Sequence, residues 1–184
     1  MDLTADIKVI EDFISIDDAE TIINYIKQNK DDTKRFMSAR HKIRSESVVP
    51  EMHKLRRHEE ILPLYKKYSQ KFIEETKLFR SDAEDMMMYA FWMTMLGPGT
   101  TLGPHVDNHK QAESIDFSGV IYLNDDYTGG EIHFTKLGIK HKPKARSLIV
   151  FKPELEHEIV SVIDGIRFAM PIWGTLNKEK EMVI

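Results

Sequence analysis

Apolar positions recur with two different periods along the chain, and the change near residue 86 divides it in two. The segment IKVIEDFI (7–14) is rich in β-branched and aromatic residues and predicts a short strand. In DDAETIINYIKQN, Ile22, Ile23, Tyr25 and Ile26 recur at helical spacing, with Ser15 or Asp17 placed to cap the helix they predict. HEEILPLYKKYSQKFIEETKLF (58–79) predicts a second helix with Ile61, Leu64, Tyr65, Tyr68, Phe72 and Ile73 along one side. Pro63 fits only in its first turn. Residues 31–56 are polar and irregular, with Arg40, His41, Lys42 and Arg44 close together. A solvated loop is the simpler reading of that stretch, and a flap over an active site the sharper one.

Beyond residue 86 the period shortens. MMMYAFWMTML (86–96) is a continuous apolar run closed by the turn GPG and reads as one buried strand. DFSGVIYLN, the turn DDYTGG and EIHFTKL together read as a hairpin, with Gly129 and Gly130 supplying positive φ. KARSLIVFK, HEIVSVI and IRFAMPIWGT follow as further short strands. Short strands at regular spacing, punctuated by Gly and Pro, predict a sandwich or barrel, with the two helices packed on one outer sheet face. The expectation is therefore an α+β, mainly β chain of one domain over 1–184, with helical support in 1–85 and a β core in 86–177.

Composition narrows the function. The 184 residues are 41% hydrophobic, enough for a core, and the formal net charge of -4 gives no basic footprint for nucleic acid. There is no cysteine, so disulfides and thiolate metal sites are excluded and any metal must be held by His, Asp or Glu. The start, MDLTADIKVIEDF, does not read as a signal peptide, and no apolar run reaches the roughly 18 residues that span a bilayer. A cytoplasmic chain with no membrane partner is the expectation.

PHVDNH places His105 and Asp107 two residues apart, on one face of any extended segment. His157, 50 residues later at the start of a predicted strand, is the best candidate for a third ligand. Two imidazoles and one carboxylate leave open positions on a metal, which suits non-heme Fe(II). Ca and Mg would not select two imidazoles, whereas zinc fits by ligand type alone. HxD occurs by chance, and His109, His133 and His141 are read as structural histidines. Arg167 makes the pattern specific, because its rigid fork of donors can take a carboxylate in a bidentate pair. A surface salt bridge is the plainer role for it, but the neighbours Ile166, Phe168 and Ala169 point to burial.

In GPGTTLGPHVDN, VIYLNDDYTGGEIHF, the run from Pro143 to Phe151 and HEIVSVIDGIRFAMPIW, the chain resembles the prolyl 4-hydroxylase-like family of 2-oxoglutarate- and Fe(II)-dependent dioxygenases. The resemblance covers residues 86–175. It implies a double-stranded β-helix (jelly-roll) core, with helices buttressing the major sheet. It also implies iron ligation by His105, Asp107 and His157, and pairing of Arg167 with the C5 carboxylate of 2-oxoglutarate. Tyr122 matches a tyrosine that donates to the same carboxylate, and Trp173 an aromatic wall of the pocket. The implied cofactors are Fe(II), 2-oxoglutarate and O2, with ascorbate as a candidate addition. The implied partner is a peptide or protein substrate containing proline, over which 31–56 and 108–114 could close. Met93, Met95, Leu96 and Leu102 stand where many relatives have tyrosines; they read as core-filling residues or as a more apolar pocket. An oxygenase of a free small molecule such as an amino acid, and a cupin-like metal-binding sensor without turnover, remain as alternatives. Arg167 and Tyr122 argue against the sensor, which needs neither.

Overall fold

The computed structural model describes residues 2–29, 60–108 and 114–182, together with the backbone of 41–42. The first strands are β1 (Asp2–Thr4), β2 (Ile7–Ile10) and β3 (His41–Lys42), with helix α1 (Ile16–Gln28) between β2 and β3. Helix α2 (Leu62–Lys77) precedes β4 (Met87–Phe91), β5 (Thr94–Leu96), β6 (Thr101–His105), β7 (Phe117–Tyr122) and β8 (Thr128–Gly129). The chain continues through β9 (Ile132–Phe134), β10 (Ile139–His141), β11 (Leu148–Phe151), β12 (His157–Ile159), β13 (Val162–Asp164) and β14 (Arg167–Thr175).

Helix α1 starts where the sequence places it. The Ser15 side chain accepts from the Asp18 amide at 3.2 Å, and Asp17 and Asp18 sit at the positive end of the helix dipole. In α2, Pro63 occupies the first turn, where no amide donor is needed. Asp18 ties the helices together by accepting from Lys67 Nζ at 2.6 Å and from Tyr68 Oη. Among the described residues no helix is long and apolar enough to cross a membrane.

The larger sheet runs β1-β2-β11-β7-β14-β4, with β5 also beside β14, and the smaller one runs β10-β9-β12-β6-β3. From β5 onward the chain alternates between the two: β5 in the larger, β6 in the smaller, β7 back, β9 and β10 across, then β11, β12 and β14 in turn. That alternation is the double-stranded β-helix. One apolar cluster, including Val120, Ile132, Phe134, Ile149, Phe151, Ile159 and Ala169, fills the space between the sheets. A second joins Ile121, Leu148, Phe168, Met170 and Ile172 on the outer face of the larger sheet to Ile22, Ile26, Tyr68 and Phe72 of the helices. Each such buried side chain contributes roughly 1.5–3 kcal/mol. Both helices therefore buttress the larger sheet, as expected. Strand alternation then assigns the faces of β14: Phe168, Met170 and Ile172 turn to the helices, leaving Arg167, Ala169 and Trp173 on the other side.

Three strand expectations are corrected. The run 86–96 is two strands, β4 and β5, both paired with β14. The break at Trp92 lies opposite Pro171, whose carbonyl accepts from the Trp92 amide at 2.8 Å but which has no N–H to return. The segment 157–163 likewise divides into β12 and β13. The predicted hairpin is not one: β7 and β9 lie in different sheets, and β9 pairs instead with β10 and β12. Gly129 and Gly130 do take positive φ, 71° and 67°, but they serve a crossover between sheets in which β8 pairs with β13.

Candidate active site

His105 and His157 are register partners on neighbouring antiparallel strands, so both imidazoles rise from one spot, with ring centroids 4.3 Å apart. Asp107 reaches them differently from the i, i+2 expectation. Strand β6 ends at His105, and the Pro153 carbonyl accepts from the Asp107 amide at 2.9 Å, holding the chain in a turn that swings the carboxylate back. Each Nδ1 lies 2.9 Å from a backbone carbonyl, Gly103 O for His105 and Leu155 O for His157. A carbonyl only accepts, so each Nδ1 carries the proton and each Nε2 presents a lone pair. Burial disfavours the His157 imidazolium and lowers its pKa, which keeps this ring neutral.

Asp107 divides its two oxygens. Oδ1 stands 3.7 Å from His105 Nε2 and 3.9 Å from His157 Nε2, whereas Oδ2 accepts from Trp173 Nε1 at 2.9 Å. Atoms bound about 2.1 Å from a common ion stand at most about 4.2 Å apart, so both carboxylate-to-imidazole separations suit a shared ion. Trp173 is in turn wedged edge-on against Trp92, with centroids 5.0 Å apart. Trp173, expected as a pocket wall, donates to a candidate ligand and orients it. Among the described residues this is the cluster of metal-binding groups that the fold assembles.

Arg167 lies at the opposite end of the same β14 face. It is 2% exposed, its Nε has no partner, and no ion pair among the described residues includes it. Tyr122 sits on the neighbouring strand, opposite Ala169, with its ring centroid 4.9 Å from the guanidinium and its hydroxyl buried without a partner. Burial pushes the Tyr122 phenol up to about 12 against the opposing pull of Arg167, so the hydroxyl remains a donor. A buried guanidinium Nε and a phenol without an acceptor among the described residues are costly unless a ligand carboxylate completes them.

Two residues not assigned roles from the sequence also shape this end. Asn124 accepts from the Phe168 amide at 2.8 Å and donates to the Ile166 carbonyl at 2.7 Å, gripping the backbone on both sides of Arg167. Tyr127 has a hydroxyl that is buried without a partner. The available signals were a polar residue directly after an apolar strand and a tyrosine just ahead of a Gly-Gly turn.

The remaining histidines divide. His133 Nδ1 pairs with Glu158 Oε1 at 2.7 Å across neighbouring strands, consistent with a structural role. His141 Nε2 is buried without a partner, and burial lowers its pKa. His109 lies outside the described residues, as do the possible closing segments 31–56 and 108–114 apart from the backbone of 41–42, Asn108 and Ser114. Met93 and Met95 belong to the helix-side core, while Leu96 and Leu102 pack between the sheets, so all four are core-filling.

Residues 90–175, which hold every one of these candidate ligands, match the model of the 2OG-Fe(II) oxygenase superfamily. That match covers slightly less than half of the chain. Prolyl 3-hydroxylase 2 of Homo sapiens is 38% identical over 69 residues, which are 34% of this chain and 10% of the relative, so the chain spans about a tenth of that protein's length. A prolyl hydroxylase from Trichoplax adhaerens, solved with a hypoxia inducible factor oxygen degradation domain peptide, superposes with a TM-score of 0.73 at 16% identity. That match covers 96% of this chain and 86% of the other. A Pseudomonas putida prolyl-4-hydroxylase gives 0.67 at 18% identity, over 92% and 91% of the two chains. At such identities these likenesses establish that the chain shares their fold. The donor set of two imidazoles and one carboxylate fits Fe(II). The unpartnered buried Arg167 Nε and Tyr122 Oη fit a dicarboxylic 2-oxoacid.

Proposed function

We propose that the protein is a 2-oxoglutarate- and Fe(II)-dependent dioxygenase that hydroxylates a peptidyl proline and releases succinate and CO2. One observation carries the reading. A single strand face holds Trp173, which orients Asp107 beside two imidazoles, and at its other end a buried Arg167 with no anionic partner among the described residues.

His105, Asp107 and His157 would hold Fe(II) through two nitrogens and one oxygen, and the metal, when bound, supplies the oxygen-activating chemistry. Arg167 and Tyr122 would grip the far carboxylate of 2-oxoglutarate, setting the direction from which its oxoacid end reaches the metal. Phe134 and Phe151 pack against His157, with ring centroids 6.1 and 4.7 Å away, and keep water from that side of the site. The stoichiometry balances: one oxygen atom of O2 enters the substrate C–H bond and the other enters succinate. Proline as target is supported by the names of the relatives, which include both 3- and 4-hydroxylases.

The test is turnover. Protein reconstituted anaerobically with Fe(II) and 2-oxoglutarate is given a panel of proline-containing peptides and then O2. The expected result is succinate together with a peptide 16 Da heavier, with amino-acid analysis distinguishing 3- from 4-hydroxyproline. No succinate under any condition would sink the oxygenase reading, whereas succinate with only free amino acids hydroxylated would replace the peptide substrate by a small molecule.

A further inference from the structure

Besides Arg167 and Tyr122, a third buried donor stands at the cosubstrate end of the site. Tyr127 is 5% exposed and its Oη has no hydrogen-bond partner. It lies on the crossover between β7 and β8, away from the ladders that position most of the interior. Its placement is nonetheless tightly determined, through two glycines. Gly130 has φ of 67°, and a Cβ there would stand 3.0 Å from Tyr127 Cε2 and 3.1 Å from Arg167 Cδ. The tyrosine ring and the arginine stem therefore converge on the one point that the missing side chain leaves free. Gly165, at φ of 76°, lies in the turn that leads into β14; a Cβ there would meet the Asp126 carbonyl at 2.7 Å and Tyr127 Cα at 3.0 Å. The segment that presents Arg167 and the segment that presents Tyr127 are thus pressed backbone to backbone.

Lys142 completes the seat. Its Nζ lies 3.5 Å from the Tyr127 ring centroid and donates to the carbonyls of Tyr127 at 2.8 Å and Gly129 at 3.1 Å. The ring carries a lysine over its face and feels the nearby Arg167 charge, a field that favours an anion. Burial raises the Tyr127 pKa although the charge and hydrogen-bonding reach of Arg167 oppose it, so the hydroxyl keeps its proton, and Arg167, a donor only, offers that proton no acceptor.

We propose that Tyr127 is a further binding residue for the cosubstrate, donating its hydroxyl to the distal carboxylate alongside Arg167 and Tyr122. The inference rests on the 2-oxoglutarate reading above. A carboxylate offers about four acceptor positions, enough for a guanidinium and two phenols together. A site with this many donors selects a dicarboxylic 2-oxoacid over a monocarboxylic one, because an analogue lacking the far carboxylate leaves three buried donors unpartnered.

The test uses Mn(II)-loaded protein under nitrogen, titrated calorimetrically with 2-oxoglutarate and, separately, with 2-oxobutanoate, which lacks the distal carboxylate. Tyr127→Phe removes only the hydroxyl. It should raise the 2-oxoglutarate Kd about tenfold, the loss typical of one hydrogen bond to a charged group, and leave 2-oxobutanoate unchanged. Equal weakening of both ligands would show a structural role and overturn the proposal, as would an unchanged 2-oxoglutarate Kd. If the wild-type protein binds no 2-oxoglutarate, the cosubstrate reading itself fails. A second measurement does not depend on the variant folding. In wild-type protein carrying 13Cζ-tyrosine, two buried tyrosine signals should shift on adding 2-oxoglutarate, one of them absent from Tyr122→Phe; a single shifting signal that disappears in Tyr122→Phe would overturn the proposal.

Discussion

The two ends of one strand face follow opposite rules. At the Trp173 end the protein supplies the partners: Gly103 and Leu155 carbonyls hold the imidazoles, Trp173 holds Asp107 Oδ2, and Pro153 holds the backbone of Asp107. At the Arg167 end Arg167 Nε, Tyr122 Oη and Tyr127 Oη have none. The first end is preorganised, with its ligand atoms aimed before a metal arrives. The second is left to be completed, and each unsatisfied buried group costs the ligand-free protein about 1–3 kcal/mol. The difference teaches that a rigid site and an incomplete one can share a strand, and that the incomplete one reports the charge of what it binds.

Substitutions should separate the two ends. The largest effect is expected for His157→Ala, which removes a ligand atom outright: Mn(II) affinity, read by calorimetry, should fall by more than the roughly 10–100-fold typical of losing an outer partner, and turnover should vanish. Arg167→Met comes next. It should weaken 2-oxoglutarate by about 3 kcal/mol or more, over 100-fold, while leaving Mn(II) binding intact. It should also raise the melting temperature of the ligand-free protein, by about 2–4 °C for each kcal/mol gained from removing an unpaired buried cation. A lower melting temperature in Arg167→Met would show that the two ends are not opposites after all.

Trp173→Phe keeps an aromatic ring but frees Asp107 Oδ2, and a loss of about tenfold in metal affinity is expected, with 2-oxoglutarate affinity at saturating metal little changed. Asn124→Ala releases the backbone around Arg167. It should cost about 1–3 kcal/mol in denaturant unfolding and raise the KM for 2-oxoglutarate several-fold, with a smaller change in kcat. The smallest effect is a pH limb. Burial lowers the His141 pKa, so the unfolded chain takes up that proton first as pH falls. The contribution to stability is fully present above about 6.5 and is lost as pH falls through the lower folded value. Melting curves from pH 7.5 to 5 should decline less steeply in His141→Gln than in the wild type.

Much of the candidate site was legible in the chain. His105, Asp107, His157 and Arg167 carry chemistry that their neighbours do not need, and their order along the strands survives in the fold. Ser15 and the apolar stripe of α1 announced that helix because capping and helical periodicity are local properties. The strand errors share one cause. Alternation reports that a segment is extended but not which strand it meets, so β7 and β9 read as a hairpin although they lie in different sheets. Similarly, nothing local shows that Pro171 would interrupt the ladder opposite Trp92.

The chain by itself therefore determined the donor types, the two helices and the β-rich second half, because periodicity, capping and side-chain chemistry are written within a few residues. Only the tertiary structure decided that Asp107 turns back through Pro153, that Trp173 holds its second oxygen, and that Tyr127 is pressed against Arg167 by two glycines. Those relations join residues dozens of positions apart, and they exist only once two sheets have closed over a shared interior where an unpartnered polar atom becomes costly.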